Sequence, residues 1–174
     1  MTMCNQYDKM KVNMGGGAML TLYHGSTQIV DKPEIRTHKY HKDFYWGFYC
    51  TQIEAQAVRW ATRRGRSGVV NVYSFAEDAS LRILRFEEMD EAWLDFIAAC
   101  RTGHPHDYDI VEGPMADDAV FNYVQSFLDG EISRAAFWEL VKFKHPTHQI
   151  SFHTEKALQH LKFERSYPVD VQTK

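Results

Sequence analysis

The chain reads as an α+β protein built on a mainly antiparallel sheet, and three observations carry that reading. Runs rich in β-branched and aromatic residues, clearest at Val69-Val70-Asn71-Val72-Tyr73-Ser74-Phe75, are bounded by turn formers as strands are. Between such runs lie segments with apolar residues at helical spacing, as at Trp93, Phe96, Ile97 and Cys100. The 174 residues are 44% hydrophobic and 14% aromatic, enough for one core and short for two domains. The expected organisation is a disordered leader over 1–18, a single domain over 19–168 and a tail over 169–174.

In order, residues 1–18 scatter Met1, Met3, Met10 and Met14 among polar residues and close on Gly15-Gly16-Gly17, with neither strand nor helix period, so a frayed leader is expected. In Met19–Ser26, Leu20, Leu22 and His24 alternate with Thr21 and Tyr23, which predicts a strand carrying His24 to its far end. Gly25 beside it lets backbone N–H and C=O approach a ligand unshielded; a plain His24-Gly25-Ser26 turn is the simpler alternative. Residues 27–42 are polar and contain Pro33, His38 and His41, a surface connection whose histidines are read as solvated.

The stretch that organises the rest is Asp43-Phe44-Tyr45-Trp46-Gly47-Phe48-Tyr49-Cys50-Thr51, read as a strand that ends at a cleft. A helix is predicted over 52–63, with Ala55, Ala57, Val58 and Ala61 as its packing face and Trp60 on the same side. Tyr49 and Trp60 are then placed to flank a flat cationic ring, since π-faces attract positive charge while burying apolar area. Core packing is the competing account of both aromatics. Arg63, Arg64 and Arg66 complement the helix dipole or serve a phosphate-bearing ligand.

Strands follow at 69–75 and 81–86, a helix at 89–100, and a strand at 108–112 stopped by Gly113-Pro114. Asp117 and Asp118 open a helix through Leu128, and Ser133 caps another through Val141. In the strand 147–154, His148, Ile150 and Phe152 share one face and Gln149, Ser151 and His153 the other, as where a strand borders a polar cleft or an ordinary sheet edge meets water. A helix over 155–161 and Lys162-Phe163-Glu164 complete the domain.

A net charge of −3 gives no general case for nucleic acid or an anionic membrane. Cys4, Cys50 and Cys100 form neither a disulfide framework nor a zinc spacing, so a cytoplasmic setting is expected. No apolar run nears the ~20 residues of a membrane span. His104-Pro105-His106-Asp107 is read as a loop, and no metal is expected.

Tyr23-His24-Gly25-Ser26, then Gly47-Phe48-Tyr49-Cys50 with Trp60 eleven residues after Tyr49, then a late strand at Gln149 running into a helix and Leu161-Lys162-Phe163, resemble in their order the ADP-ribosyltransferases. The pattern is most similar to the diphtheria-toxin and poly(ADP-ribose) polymerase-like branch, marked by His, Tyr and Glu on three strands. Residues 20–165 also resemble a small bacterial domain family of unknown function grouped with that superfamily, through Gln56-Ala57, Asp107-Tyr108-Asp109-Ile110-Val111 and Ala116-Asp117-Asp118. The resemblance implies a split antiparallel sheet with flanking helices around an NAD cleft. It places His24 on a ribose hydroxyl, the Gly25 backbone on the nicotinamide carboxamide, Ser26 on the ribose, and Tyr49 and Trp60 as stacking residues.

At the third signature position the chain has Gln149 where the branch has glutamate. The reaction breaks an N-glycosidic bond through an oxocarbenium-like transition state, which a carboxylate stabilises and an uncharged amide does not. Glutamine still bonds a ribose hydroxyl but is no base. The implied activity is therefore mono-ADP-ribosyl transfer from NAD to a macromolecular target, with Asp117, Asp118 or Glu155 as carboxylates to recruit. Aligning Gln149-Ile150-Ser151 with the Gln-x-Glu of arginine and asparagine modifiers puts serine in the catalytic slot. By analogy a toxin or phage-defence role with an antitoxin partner is expected; the alternative is a catalytically inactive NAD-binding or protein-interaction module of the same fold.

Overall fold

A computed structural model describes residues 19–37, 42–63, 65–116, 118–142 and 147–171. The expected leader, His38, His41, Arg64, Asp117 and Pro146 lie outside the described residues, and Asp118 is placed only as the first residue of a helix. The elements run β1 (Leu20–Ser26), β2 (Phe48–Cys50), α1 (Glu54–Thr62), β3 (Gly68–Phe75), β4 (Ile83–Arg85), α2 (Glu91–Arg101), β5 (Ile110–Gly113), α3 (Asp118–Leu128), α4 (Arg134–Val141), β6 (Gln149–Phe152), α5 (Glu155–Leu158) and β7 (Leu161–Val169). The fold is α+β, with two mostly antiparallel sheets and, among the described residues, five helices.

The first sheet has the order β1-β3-β7 and the second β2-β6-β5-β4, all antiparallel except β4 with β5. Among the described residues a single bridge, Tyr23 with Thr51, joins the sheets, through paired N–H···O bonds of 2.8 and 2.9 Å. Leu22, Tyr73 and Phe75 of the first sheet meet Phe48, Ile150 and Phe152 of the second in one core. The other face of the second sheet is covered by α2, α3 and α4, through Trp93, Phe96, Val124 and Phe137. Each such large side chain contributes about 1.5–3 kcal/mol by leaving water. Helix α1 lies on the outer face of the first sheet, Ala57 and Ala61 against Val70 and Val72.

Local chemistry sets the helix ends. Asp90 caps α2 by accepting from the Trp93 N–H, and Ser133 caps α4 through the Ala136 N–H, as its sequence predicts. The connection after β1 is tied down by Asn71, which accepts from Val30 N–H at 2.8 Å, and by the Tyr73 hydroxyl donating to Val30 O.

Four expectations are corrected. Of the strand expected over 43–51, only Phe48–Cys50 is extended; Tyr45 turns the chain with φ 73°, so residues 43–47 form an irregular approach. In α1 Ala57 and Ala61 face inward as expected, but Gln56 is buried with them and Ala55 is exposed, because the helix also reaches the second sheet at its first turn. Strand β6 is shorter than predicted and buried along its whole length, since helices cover the face expected to border a cleft. The last segment is not a short ending but a nine-residue edge strand reaching Val169.

Candidate functional site

The site is built where β1 and β2 part. Tyr23 spends its N–H and C=O on Thr51, and the ladder goes no further. Backbone groups two residues apart point the same way along a strand. The N–H and C=O of Gly25 therefore face β2 across the opening, and Gly25 is only half-buried. Its Cα is packed against α1: a Cβ there would overlap the Ala57 carbonyl and the Ala61 nitrogen. The missing side chain thus admits the helix, while the backbone edge is left to the opening.

His24 spans that opening. Its Nδ1–H donates to the Tyr49 carbonyl at 2.7 Å, which fixes the tautomer, and its Nε2 has no partner among the described residues. Its ring lies 4.5 Å from that of Phe48, on the inter-sheet side of β2. Burial, opposed by the bond to Tyr49 and aided by Lys42 and Arg36, lowers its pKa to about 4, so the ring is neutral. Ser26 Oγ accepts from Gln28 N–H at 3.4 Å and makes the turn that follows.

Tyr49 points to the opposite face of β2 from His24. Its ring is 7% exposed, and its hydroxyl donates to Tyr45 O at 2.5 Å and accepts from Phe44 N–H at 3.2 Å. Above the ring sits the Lys42 ammonium, 4.4 Å from the centroid. The open slot expected between Tyr49 and Trp60 is thus closed on the Tyr49 side by the protein's own cation. Trp60 is half-buried, one helical turn beyond Gln56 and on the turn of α1 that abuts Gly25.

Gln149, 3% exposed, shares its face of the second sheet with Tyr49, which pairs with Ser151 two residues on. Diagonal neighbours of this kind are about 7–8 Å apart. The Gln149 Nε2 donates to Asp43 Oδ2 and to Pro114 O, both at 3.3 Å. Asp43 Oδ2 also accepts from Ala116 N–H at 3.0 Å, while Oδ1 binds Arg101 through Nε at 3.1 Å and Nη2 at 2.5 Å. The ion pair is buried, so Asp43 holds α2, the segment after β5, and β6 together. Gln56 adds a clamp, donating to His148 O at 2.6 Å and accepting from His148 N–H at 3.3 Å.

Two half-buried imidazoles hold the turn before β2. His153 Nδ1–H donates to Trp46 O at 2.7 Å and His106 Nε2–H to Phe44 O at 3.1 Å, with the rings 4.5 Å apart. Burial and the neighbouring His106 lower the pKa of His153 to about 3. Burial likewise lowers that of His106, against the bond to Phe44. A separate cleft of about 370 Å³ lies between Phe86, Pro114 and His148. On its wall Glu112 accepts from Arg85 Nε at 3.0 Å, His148 Nε2 at 3.0 Å and Gln52 Nε2 at 3.1 Å. Burial pushes the Glu112 carboxyl up, but His148 and Arg85 outweigh it and hold the group below the usual range.

The structure therefore joins His24 to Tyr49 directly and sets Gln149 beside Tyr49, while the Tyr49 and His24 rings occupy opposite faces of β2. Glu155 is exposed at the start of α5, past the far end of β6, so it does not supply a carboxylate to Gln149. Asp43 touches Gln149 instead. The sequence reading gave no site role to Asp43, Gln56 or Glu112; a lone carboxylate leading an aromatic run was the available signal for Asp43. Among the described residues no set of three or more His, Cys, Asp or Glu is arranged for a metal ion, and no helix is long and apolar enough to cross a membrane.

Fold and site together define an α+β protein in which two mostly antiparallel sheets part around a His–Tyr contact. A family model described as a protein of unknown function (DUF3990) matches residues 20–163, and the chain belongs to that family. Neither a curated protein nor a solved structure matches it.

Proposed function

We propose that the protein is an NAD-dependent mono-ADP-ribosyltransferase with an ADP-ribosyltransferase-like fold. The observation that carries this is the parting of β1 from β2, which leaves the Gly25 N–H and C=O on an open edge next to His24. A donor and an acceptor side by side match a primary carboxamide, which needs both. The free lone pair of His24 Nε2 accepts from a ribose hydroxyl, Ser26 lies next along the strand, and Trp60 stands on the turn of α1 that abuts Gly25. Tyr49 gives the second ring once Lys42 moves aside, and Gln149 an acceptor for the ribose.

In the transfer, the bond from ribose C1′ to the nicotinamide nitrogen breaks with its electron pair leaving on neutral nicotinamide. The acceptor nucleophile forms the new bond at C1′ and releases its proton to solvent. Because Gln149 carries no charge and no base, the reading is single transfer and not polymer synthesis. A macromolecular target, a toxin or phage-defence role and a controlling antitoxin belong to the same proposal by analogy.

The test is incubation of the protein with labelled NAD and whole-cell extract, with nicotinamide release measured in parallel. Label on a macromolecule, lost in His24→Ala, is the expected result; no label together with no NAD binding by calorimetry overturns the reading. A second reading, a catalytically inactive NAD-binding or protein-interaction module, is favoured by one observation: the Tyr49 ring is buried under Lys42. NAD binding without nicotinamide release identifies it.

A further inference from the structure

We infer that Asp43 is a positioning residue that acts through Gln149, fixing its amide so that an oxygen acceptor, and not the NH2 group, is presented to the ribose of a bound dinucleotide. This rests on the transferase reading and deepens it, assigning the site's carboxylate to the segment before β2 instead of to a motif strand.

The orientation of the amide follows from its partners. Asp43 Oδ2 and Pro114 O, each 3.3 Å from the Gln149 nitrogen, only accept hydrogen bonds, so the NH2 arm must face them. The planar amide then directs Oε1 the other way, where it has no partner among the described residues. No side-chain nitrogen or oxygen among them is both sealed and unpartnered. Oε1 therefore keeps solvent contact within the 3% exposure of Gln149. It is the negative end of a held dipole, on the Tyr49 face of the sheet. Such a preorganised dipole stabilises positive charge developing on a ribose without reorganising during the reaction.

The same contacts explain why position 149 is glutamine. Asp43, Gln149 and Arg101 together sum to zero charge within one buried cluster. A glutamate would set a second carboxylate about 3.3 Å from Asp43 and against the Pro114 carbonyl, with one guanidinium to balance two anions. The surroundings thus select an amide at 149, and the carboxylate stands one residue further back.

The experiment compares wild type, Asp43→Asn, Gln149→Glu and the double variant Asp43→Asn/Gln149→Glu. Nicotinamide release from NAD and NAD affinity by calorimetry are read for each folded protein, and in the two variants carrying Gln149→Glu the introduced carboxyl is titrated by carbon NMR. Asp43→Asn is expected to lower kcat on the order of tenfold with KM changed far less, because charge stabilisation and not binding is lost. In Gln149→Glu the new carboxyl is expected to titrate well above the ordinary range. In the double variant, which keeps the cluster neutral, it returns toward that range and nicotinamide release exceeds that of either single variant.

Unchanged kcat in Asp43→Asn, or a normal titration in Gln149→Glu, overturns the inference while leaving the transferase reading intact. No NAD binding and no nicotinamide release by wild type overturns both. If Asp43→Asn does not fold, the titration of the carboxyl introduced by Gln149→Glu, with and without Arg101→Gln, still decides: loss of the guanidinium should raise it further, and no response overturns the coupling.

Discussion

The ammonium of Lys42 rests 4.4 Å above the centre of the Tyr49 ring, on the π-face that a pyridinium would need. The protein thus carries its own cation in the position the proposed ligand takes. Burial, with Arg36 nearby and against the pull of Asp43, lowers the Lys42 pKa, so the contact is held at some cost to the charged form. Displacement of one cation by another is an exchange, and its net affinity is the difference between the two. Lys42→Met should bind NAD about three- to tenfold tighter than wild type, the size of a partly desolvated cation–π contact. Calorimetric titration measures this directly; equal or weaker binding shows that Lys42 does not compete.

The buried pair of Asp43 and Arg101 predicts a stability effect that needs no ligand. Arg101→Met leaves the Asp43 carboxylate in the interior without its countercharge, and should lower unfolding free energy by about 3–5 kcal/mol. Urea denaturation followed by far-UV circular dichroism reads the loss. A change under about 1 kcal/mol would mean that water reaches the pair.

Acid should destabilise the protein through two half-buried histidines. In the unfolded chain these rings titrate near the ordinary 6.5, whereas burial holds His24 at about 4 and His153 at about 3. The unfolded state therefore takes up protons first as pH falls. Stability is full above the ordinary value and declines below it, by about 2 kcal/mol per ring between pH 6.5 and 5. Melting temperature measured across that interval should fall steadily. His153→Gln, which keeps a donor toward the Trp46 carbonyl, should flatten the decline.

Gly25→Ala tests the close approach of α1 to β1. The added methyl overlaps the Ala57 carbonyl, which is backbone and cannot rotate away, so the helix must shift. A loss of about 1–3 kcal/mol in stability is expected, together with weaker NAD binding, because the shifted helix carries Trp60.

Much of this architecture is legible in the sequence, and the parts that are not share a cause. Strand β3, helix α2 and the Ser133-capped α4 follow from periodicity and capping residues that act within a few positions. The turn at Tyr45 is hidden because its stabilising bonds come from His106 and His153, far along the chain. Edge strand β7 is masked by Lys162, Glu164 and Arg165, charges that suit a strand with one face in water but break any apolar pattern. At the site, the order of His24, Tyr49 and Gln149 is readable, yet the identity at 149 makes sense only once Asp43 is beside it. Pairing across more than a hundred residues leaves no local trace.

The paired hydrogen bonds between the Gln56 amide and the His148 N–H and C=O give a side chain the part normally played by an adjacent strand. Their consequence lies in the timing of assembly. A chain folded only as far as α4 holds the histidine, the tyrosine and the Asp43–Arg101 pair, but neither His148 for Gln56 nor Gln149 for Asp43. The contacts of Gln56 with His148 and of Asp43 with Gln149 wait for β6 to dock, so the site is complete only when the segment that follows α4 is in place.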